Sequence, residues 1–192
     1  AGSSYSFLLL ASNSAGDSGT ASITITTDAT ASIPATPGNL SVDGQTKTTL
    51  TLGWDAESGA TSYTLYRDGT GVYTGGLTSY KDEGLTAGLQ YSYTILATNS
   101  AGSSAESTAV LGTTVPSVPP SFDAVQGTTD PSSTIVLSWD AAAVHTNSPV
   151  VDYEIYEATE SGGTYDYLAT VTGDGSASYT YTVTGLVAGA TY

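Results

Sequence analysis

Few residues in this chain are equipped for chemistry. Its one histidine, His145, stands in Ala143-Val144-His145-Thr146, and cysteine is absent. Thiol nucleophiles, disulfides, Fe–S clusters and thiolate zinc sites are therefore excluded. A Ser-His-Asp triad has a single candidate base, and His145 reads as an exposed loop residue without a second His or Cys to join it. The 18 Asp and Glu residues could supply a glycosidase acid–base pair or calcium ligands. Asp82-Glu83 and Asp174-Gly175 come nearest to local clusters. Neither follows an EF-hand loop, and both read as solvated turn residues. We therefore expect no catalytic, cofactor-binding or metal-binding residue, no cofactor, and no enzymatic activity in this chain.

The charge balance narrows the partners. Three Lys and Arg against 18 Asp and Glu give a formal charge of −15. Nucleic-acid binding depends on clustered cations that neutralise phosphates, and docking on anionic lipid has the same requirement. Neither partner is expected. No apolar run approaches the ~20 residues of a membrane-spanning helix. Phe7-Leu8-Leu9-Leu10-Ala11 is too short for a signal peptide and lacks a basic flank.

What must position any functional group is a repeat. Residues 91–102 (YSYTILATNSAG) repeat residues 5–16 (YSFLLLASNSAG) at an offset of 86. TIVLSWD, ending at Asp140, repeats TLTLGWD, ending at Asp55, at an offset of 85. GLVAGATY, ending at Tyr192, repeats GLTAGLQY, ending at Tyr91, at an offset of 101. The chain thus holds parts of three copies of one unit. Within the middle copy, Leu50, Leu52 and Trp54 alternate with polar neighbours, as do Tyr63 and Leu65, and Tyr91, Tyr93, Ile95 and Ala97. Period-two alternation predicts strands with one buried face. Asp68-Gly69 predicts a hairpin turn. Many short strands with turns between them predict an all-β sandwich.

The middle copy resembles a fibronectin type III domain. The resemblance rests on Pro37-Gly38-Asn39-Leu40, Trp54, Tyr63-Thr64-Leu65-Tyr66, Leu85-x-x-Gly88-x-x-Tyr91 and the run to Asn99-Ser100-Ala101-Gly102. The third copy repeats Trp139, Tyr153-Glu154-Ile155-Tyr156 and Leu186-x-x-Gly189-x-x-Tyr192. The resemblance implies tandem immunoglobulin-like sandwiches, one complete and two partial. Residues 1–27 would be the last two strands of a module, 28–36 a linker, 37–114 a complete module and 115–118 a second linker. Residues 119–192 would be a module lacking most of its sixth strand and its seventh. The Pro-containing linkers should act as short, stiff spacers. The expected core residues are Trp54, Trp139, Tyr63, Leu85, Tyr91, Tyr153, Leu186 and Tyr192, with Leu85–Tyr91 forming the family's tyrosine corner. The only Arg lies in Arg67-Asp68-Gly69, the wrong order for an integrin tripeptide.

Several surface features remain. Tyr66, Tyr156, Tyr165 and Tyr167 are expected to face outward, as cross-strand packing or a sugar platform. Asn39 opens the only N-glycosylation sequon. Thr27, Thr30, Ser32, Thr36, Thr113, Thr114 and Ser117 lie in linkers and last strands whose composition suits O-glycans. The expected function is a structural repeat segment of an extended extracellular filament or cell-surface stalk, with covalent glycans among its partners. The alternative is a fibronectin type III spacer of a secreted polysaccharide-degrading enzyme. Ala1–Tyr5 aligns with Ala188–Tyr192, so neighbouring copies of the chain are the expected partners, joined head-to-tail. Either the polypeptide continues, which we favour, or separate chains exchange strands. In both cases Tyr5, Phe7, Leu9 and Ala11 would make the contact between copies, with Phe7, Leu9 and Ala11 facing Trp139 and Ile155.

Overall fold

The computed structural model describes residues 2–28, 30–143, 149–160 and 162–192. His145 lies outside the described residues. Among those described, strands and turns account for all regular structure and no helix occurs. The first copy is a hairpin of β1 (Ser4–Leu9), β2 (Ser12–Asn13), β3 (Gly16–Asp17) and β4 (Ala21–Thr26). Strand β1 pairs antiparallel with β4, Tyr5 opposite Ile25 and Phe7 opposite Ile23.

The middle copy comprises β5 (Ser41–Gln45), β6 (Thr49–Gly53), β7 (Ser62–Arg67), β8 (Thr70–Gly75), β9 (Ser79–Glu83), β10 (Gln90–Asn99), β11 (Gly102–Ser103) and β12 (Val110–Thr113). One sheet runs β5-β6-β9. The other places β10 between β7 and β12, with β8 on the far side of β7. The β7–β8 turn has Asp68 at φ 50° and Gly69 at φ 76°, the two left-handed residues that a tight hairpin matching strand twist requires. Alternate residues of β10 are buried, because side chains on successive residues point to opposite faces. Leu50, Leu52, Leu65, Tyr93, Ile95 and Ala97 are fully enclosed between the sheets. Trp54 caps this core, 5.9 Å edge-on from Tyr63 and 6.0 Å from Tyr73. Gly88 holds φ 70°, which turns the chain so that the Tyr91 hydroxyl accepts from Thr86 N–H at 2.8 Å.

The third copy comprises β13 (Asp123–Gln126), β14 (Ile135–Asp140), β15 (Asp152–Glu157), β16 (Asp166–Thr172) and β17 (Ser178–Val183). Its sheets are β13-β14-β17 and β15-β16. The irregularity between Ile155 and Tyr156 falls where β7 has one between Leu65 and Tyr66, so β15 is the counterpart of β7 at an offset of 90 residues. Trp139 packs 5.5 Å edge-on from Tyr153 and stacks 6.0 Å from Tyr179.

Two expected core residues of this copy are not enclosed. Tyr192 is 40% exposed and Leu186 only half-buried, while their counterparts Tyr91 and Leu85 are buried. The corner itself is made: Tyr192 Oη accepts from Val187 N–H at 3.0 Å. In the middle copy β10 and β12 lie over this region, and among the described residues no strand pairs with the corresponding edge of β15.

Candidate functional site

Asp82 corrects the reading of Asp82-Glu83 as solvated turn residues. It lies in β9, 3% exposed, because its position alternates inward with the strand. Arg67 Nη1 donates to both of its carboxylate oxygens at 2.9 Å, and Tyr93 Oη donates to Oδ2 at 2.8 Å. Burial and the Asp82 carboxylate push the Tyr93 hydroxyl far above its ordinary range. Burial works against the Arg67 charge, but the hydrogen bond and charge of Asp82 outweigh it and raise its pKa. Both Asp82 oxygens and the Tyr93 hydroxyl are engaged in this triad, which ties β9 to β7 and β10. Strand alternation was the one available signal, since Tyr80 and Asp82 share a face of β9.

Asp130 and Asp174 behave as turn caps. Asp130 binds the Ser133 and Ser132 hydroxyls, and Asp174 accepts from Ser176 N–H. Hydrogen bonds from Ser133 and then Ser132 hold the Asp130 carboxyl below its ordinary range, and that from Ser176 does the same for Asp174. Among the described residues no group of three His, Cys, Asp or Glu side chains could hold a metal ion. Of the outward tyrosines, Tyr156, Tyr165 and Tyr167 are at least half exposed. Tyr156 Oη donates to Glu154 at 2.7 Å. Tyr66 is half-buried instead.

The hydroxyl and amide candidates for glycans divide. Thr30, Ser32, Thr36 and Asn39 are exposed, with the Asn39 amide donating to Asp55 at 2.7 Å. Ser117 is half-buried and accepts from Ala143 N–H. Thr114 is excluded: it is 1% exposed, and its hydroxyl donates to Thr86 O at 2.7 Å.

The third copy is open on one side. A groove of 330 Å³ runs between its two sheets, lined by Ile135, Leu137, Ile155, Leu168, Val183 and Leu186 among others. Ile135 and Leu137 are half-buried, although their counterparts Leu50 and Leu52 are fully buried. The hairpin shows the converse. Tyr5, Phe7 and Leu9 are 52%, 57% and 74% exposed, and Ala11 is exposed too. Their counterparts Tyr91, Tyr93, Ile95 and Ala97 form the middle core. Opposite residues of an antiparallel pair share a face, so Ile23 and Ile25 extend the same apolar surface. The other face carries Ser4···Thr26 and Ser6···Thr24 hydroxyl pairs and the exposed Leu8.

Comparison with known proteins bears on this arrangement. The sequence model of the fibronectin type III domain matches residues 35–113 and 118–192. Exoglucanase B of Cellulomonas fimi is 33% identical over 205 aligned residues, covering 95% of this chain and 18% of that enzyme. Chitinase A1 of Niallia circulans is 34% identical over 165, covering 78% of this chain and 23% of that enzyme. The chain thus spans less than a quarter of either relative. A two-domain fibronectin type III segment of chicken tenascin covers 80% of this chain and 85% of its own at 25% identity, with a TM-score of 0.43.

Proposed function

The chain belongs to the fibronectin type III family, and from that premise we propose that it is a non-catalytic spacer segment of a secreted polymer-degrading enzyme. The observation that carries this reading is the match to exoglucanase B along 95% of this chain but only 18% of that enzyme. The similarity spans the tandem modules and accounts for a small share of an enzyme's length. Chitinase A1, which differs in its named substrate, shares the modules as well. A module common to enzymes of different named specificity supports spacing rather than substrate selection. Ser, Thr and Gly turns with few charges give a surface suited to an extracellular setting.

A second reading is the filament or cell-surface stalk. It is favoured by the exposed apolar face of the β1–β4 hairpin, which suits assembly between repeats. One experiment separates the two. The native polypeptide bearing this sequence is isolated from culture medium and cell surface, and its intact mass and peptide map are determined. A spacer lies in a larger polypeptide with a hydrolytic domain. A polypeptide made only of such modules would overturn the spacer reading in favour of the stalk. The isolated chain should release no soluble product from cellulose or chitin, and turnover abolished by changing one carboxylate would overturn its non-catalytic assignment.

A further inference from the structure

We propose that Asn99 is a latch that holds the stretch Ser32–Pro37, which leads into the middle module, against that module, so that the stretch moves as part of it. The latch starts from a local turn. Asn99 ends β10 and is half-buried, and its Oδ1 accepts from Ala101 N–H at 2.8 Å. That bond fixes which way the amide faces, because one end of an asparagine amide accepts and the other donates. Nδ2 is left to donate, and both of its hydrogens are used. One goes to Gly59 O at 3.0 Å, in the connection between β6 and β7, and the other to Ser32 O at 2.7 Å. One side chain thus ties the end of β10 to a loop 40 residues away and to a carbonyl 67 residues away. The turn itself is set by the local motif Asn-Ser-Ala-Gly. In the first copy Asn13 accepts from Ala15 N–H at 2.8 Å as well, and Gly16 and Gly102 hold φ 131° and 137°.

Further contacts secure the same stretch. Thr36 Oγ1 donates to Ala105 O at 3.3 Å. Pro34, between Ser32 and Thr36, is buried, as is Pro37 after them. Ile33 lies over Gly102, where a Cβ would come within 3.1 Å of Ile33 Cγ2. The absence of a side chain at Gly102 therefore lets the linker approach the loop. The segment is bound at Ser32 and at Thr36 and is buried between them.

Proline alone gives a semi-rigid, extended linker. Stiffness within a segment does not set its direction relative to a module, however, and side-chain bonds to the module do. Relative motion is the ordinary expectation for neighbouring domains. The latch moves the point at which such motion can begin from Pro37 back to Ser32. Its use, fixing the direction in which the chain enters the module, rests on the spacer reading above. The latch itself rests on contacts within this chain.

The test is the heteronuclear Overhauser effect at the backbone nitrogens of Ile33, Ala35 and Thr36 in the whole chain, read against those of β6 and β10. We expect linker values equal to those of the strands. Asn99→Asp keeps the shape and the Oδ1 acceptor but removes both donors, and it should lower the linker values while β6 and β10 keep theirs. Because Asn99 also holds Gly59, a second variant lies wholly in the linker. Ile33→Ser with Thr36→Val removes the contact with Gly102 and the bond to Ala105 at two exposed positions, and it should lower the linker values with the strands intact. Where Asn99→Asp loosens β6 as well, the linker variant alone decides. Low linker values in the parent chain would overturn the proposal, as would values unchanged in both variants. Release by the linker variant but not by Asn99→Asp would overturn the role of Asn99. These readouts concern the isolated chain, so their failure is distinct from failure of the spacer reading, which rests on the native polypeptide.

Discussion

Asp82 is held by an Arg and a Tyr from two other strands, 15 and 11 residues away along the chain. Breaking a buried ion pair by removing one partner leaves the other uncompensated, and Asp82→Ala should destabilise the middle module by about 3–5 kcal/mol. Tyr93 adds a pH dependence with a definite sign. Its folded pKa lies above the ordinary value of 10.0, so its contribution is complete below pH ~10 and is lost as pH rises from there through the folded value. Alkaline unfolding of Tyr93→Phe should therefore fall less steeply with pH than that of the parent chain, and equal slopes would show that Tyr93 does not titrate in this way. Trp54 offers a second residue-scale test. Among the described residues its indole N–H is buried without an acceptor, as is that of Trp139. Trp54→Ala should cost about 3–5 kcal/mol through the lost ring. Trp54→Phe should cost distinctly less, because it removes an unpaired donor as well as volume. A chemical denaturation series orders the three proteins.

Alternation legible in the chain places the buried faces of β6, β7 and β10 in the middle module, because side chains at i and i+2 must share a face. Turns follow from local chemistry in the same way. Gly88 and Gly189 stand at φ 70° and 80° in the two tyrosine corners, where a Cβ is strained. Gly88→Ala should lower the middle module's stability by roughly 1–3 kcal/mol, read as a shifted denaturation midpoint with unchanged slope. Element-level reading fails at β9. Tyr80-Lys81-Asp82-Glu83 looks like a charged turn, and only the inward orientation of Asp82 toward β7 and β10 makes it core. Lys81 and Glu83, on the outer face of the same strand, form an exposed pair at 2.7 Å.

At the scale of the whole chain the three copies differ in how much of one sandwich each possesses. The middle copy has both sheets complete, the third has an open groove, and the first is a two-faced hairpin whose apolar side faces outward. Hairpins alone are marginal in water, so hydrogen exchange should protect β10 and β6 long after β1 and β4 have exchanged. Equal protection would mean that the hairpin is covered in solution. Trypsin has only Lys47, Arg67 and Lys81 as targets, all in the middle module. Lys47 is exposed in a turn while Arg67 is tied to Asp82. Limited digestion should therefore cut first at Lys47, and Asp82→Ala should open Arg67 to cleavage.

The amino-acid sequence by itself determined the module, its three copies and most strand faces. Those properties are local or periodic: alternation, turn residues and repeat offsets each act within a few neighbouring positions or recur by copying. Only the tertiary structure decided which alternating faces found a partner. Tyr91 and Tyr192 sit in the same motif with the same corner hydrogen bond, yet one is buried and the other is 40% exposed. Asp82 and Glu83 likewise stand side by side in β9, one 3% exposed and the other open to solvent. Burial depends on what lies across the sheet, and that is set by strands distant in the chain.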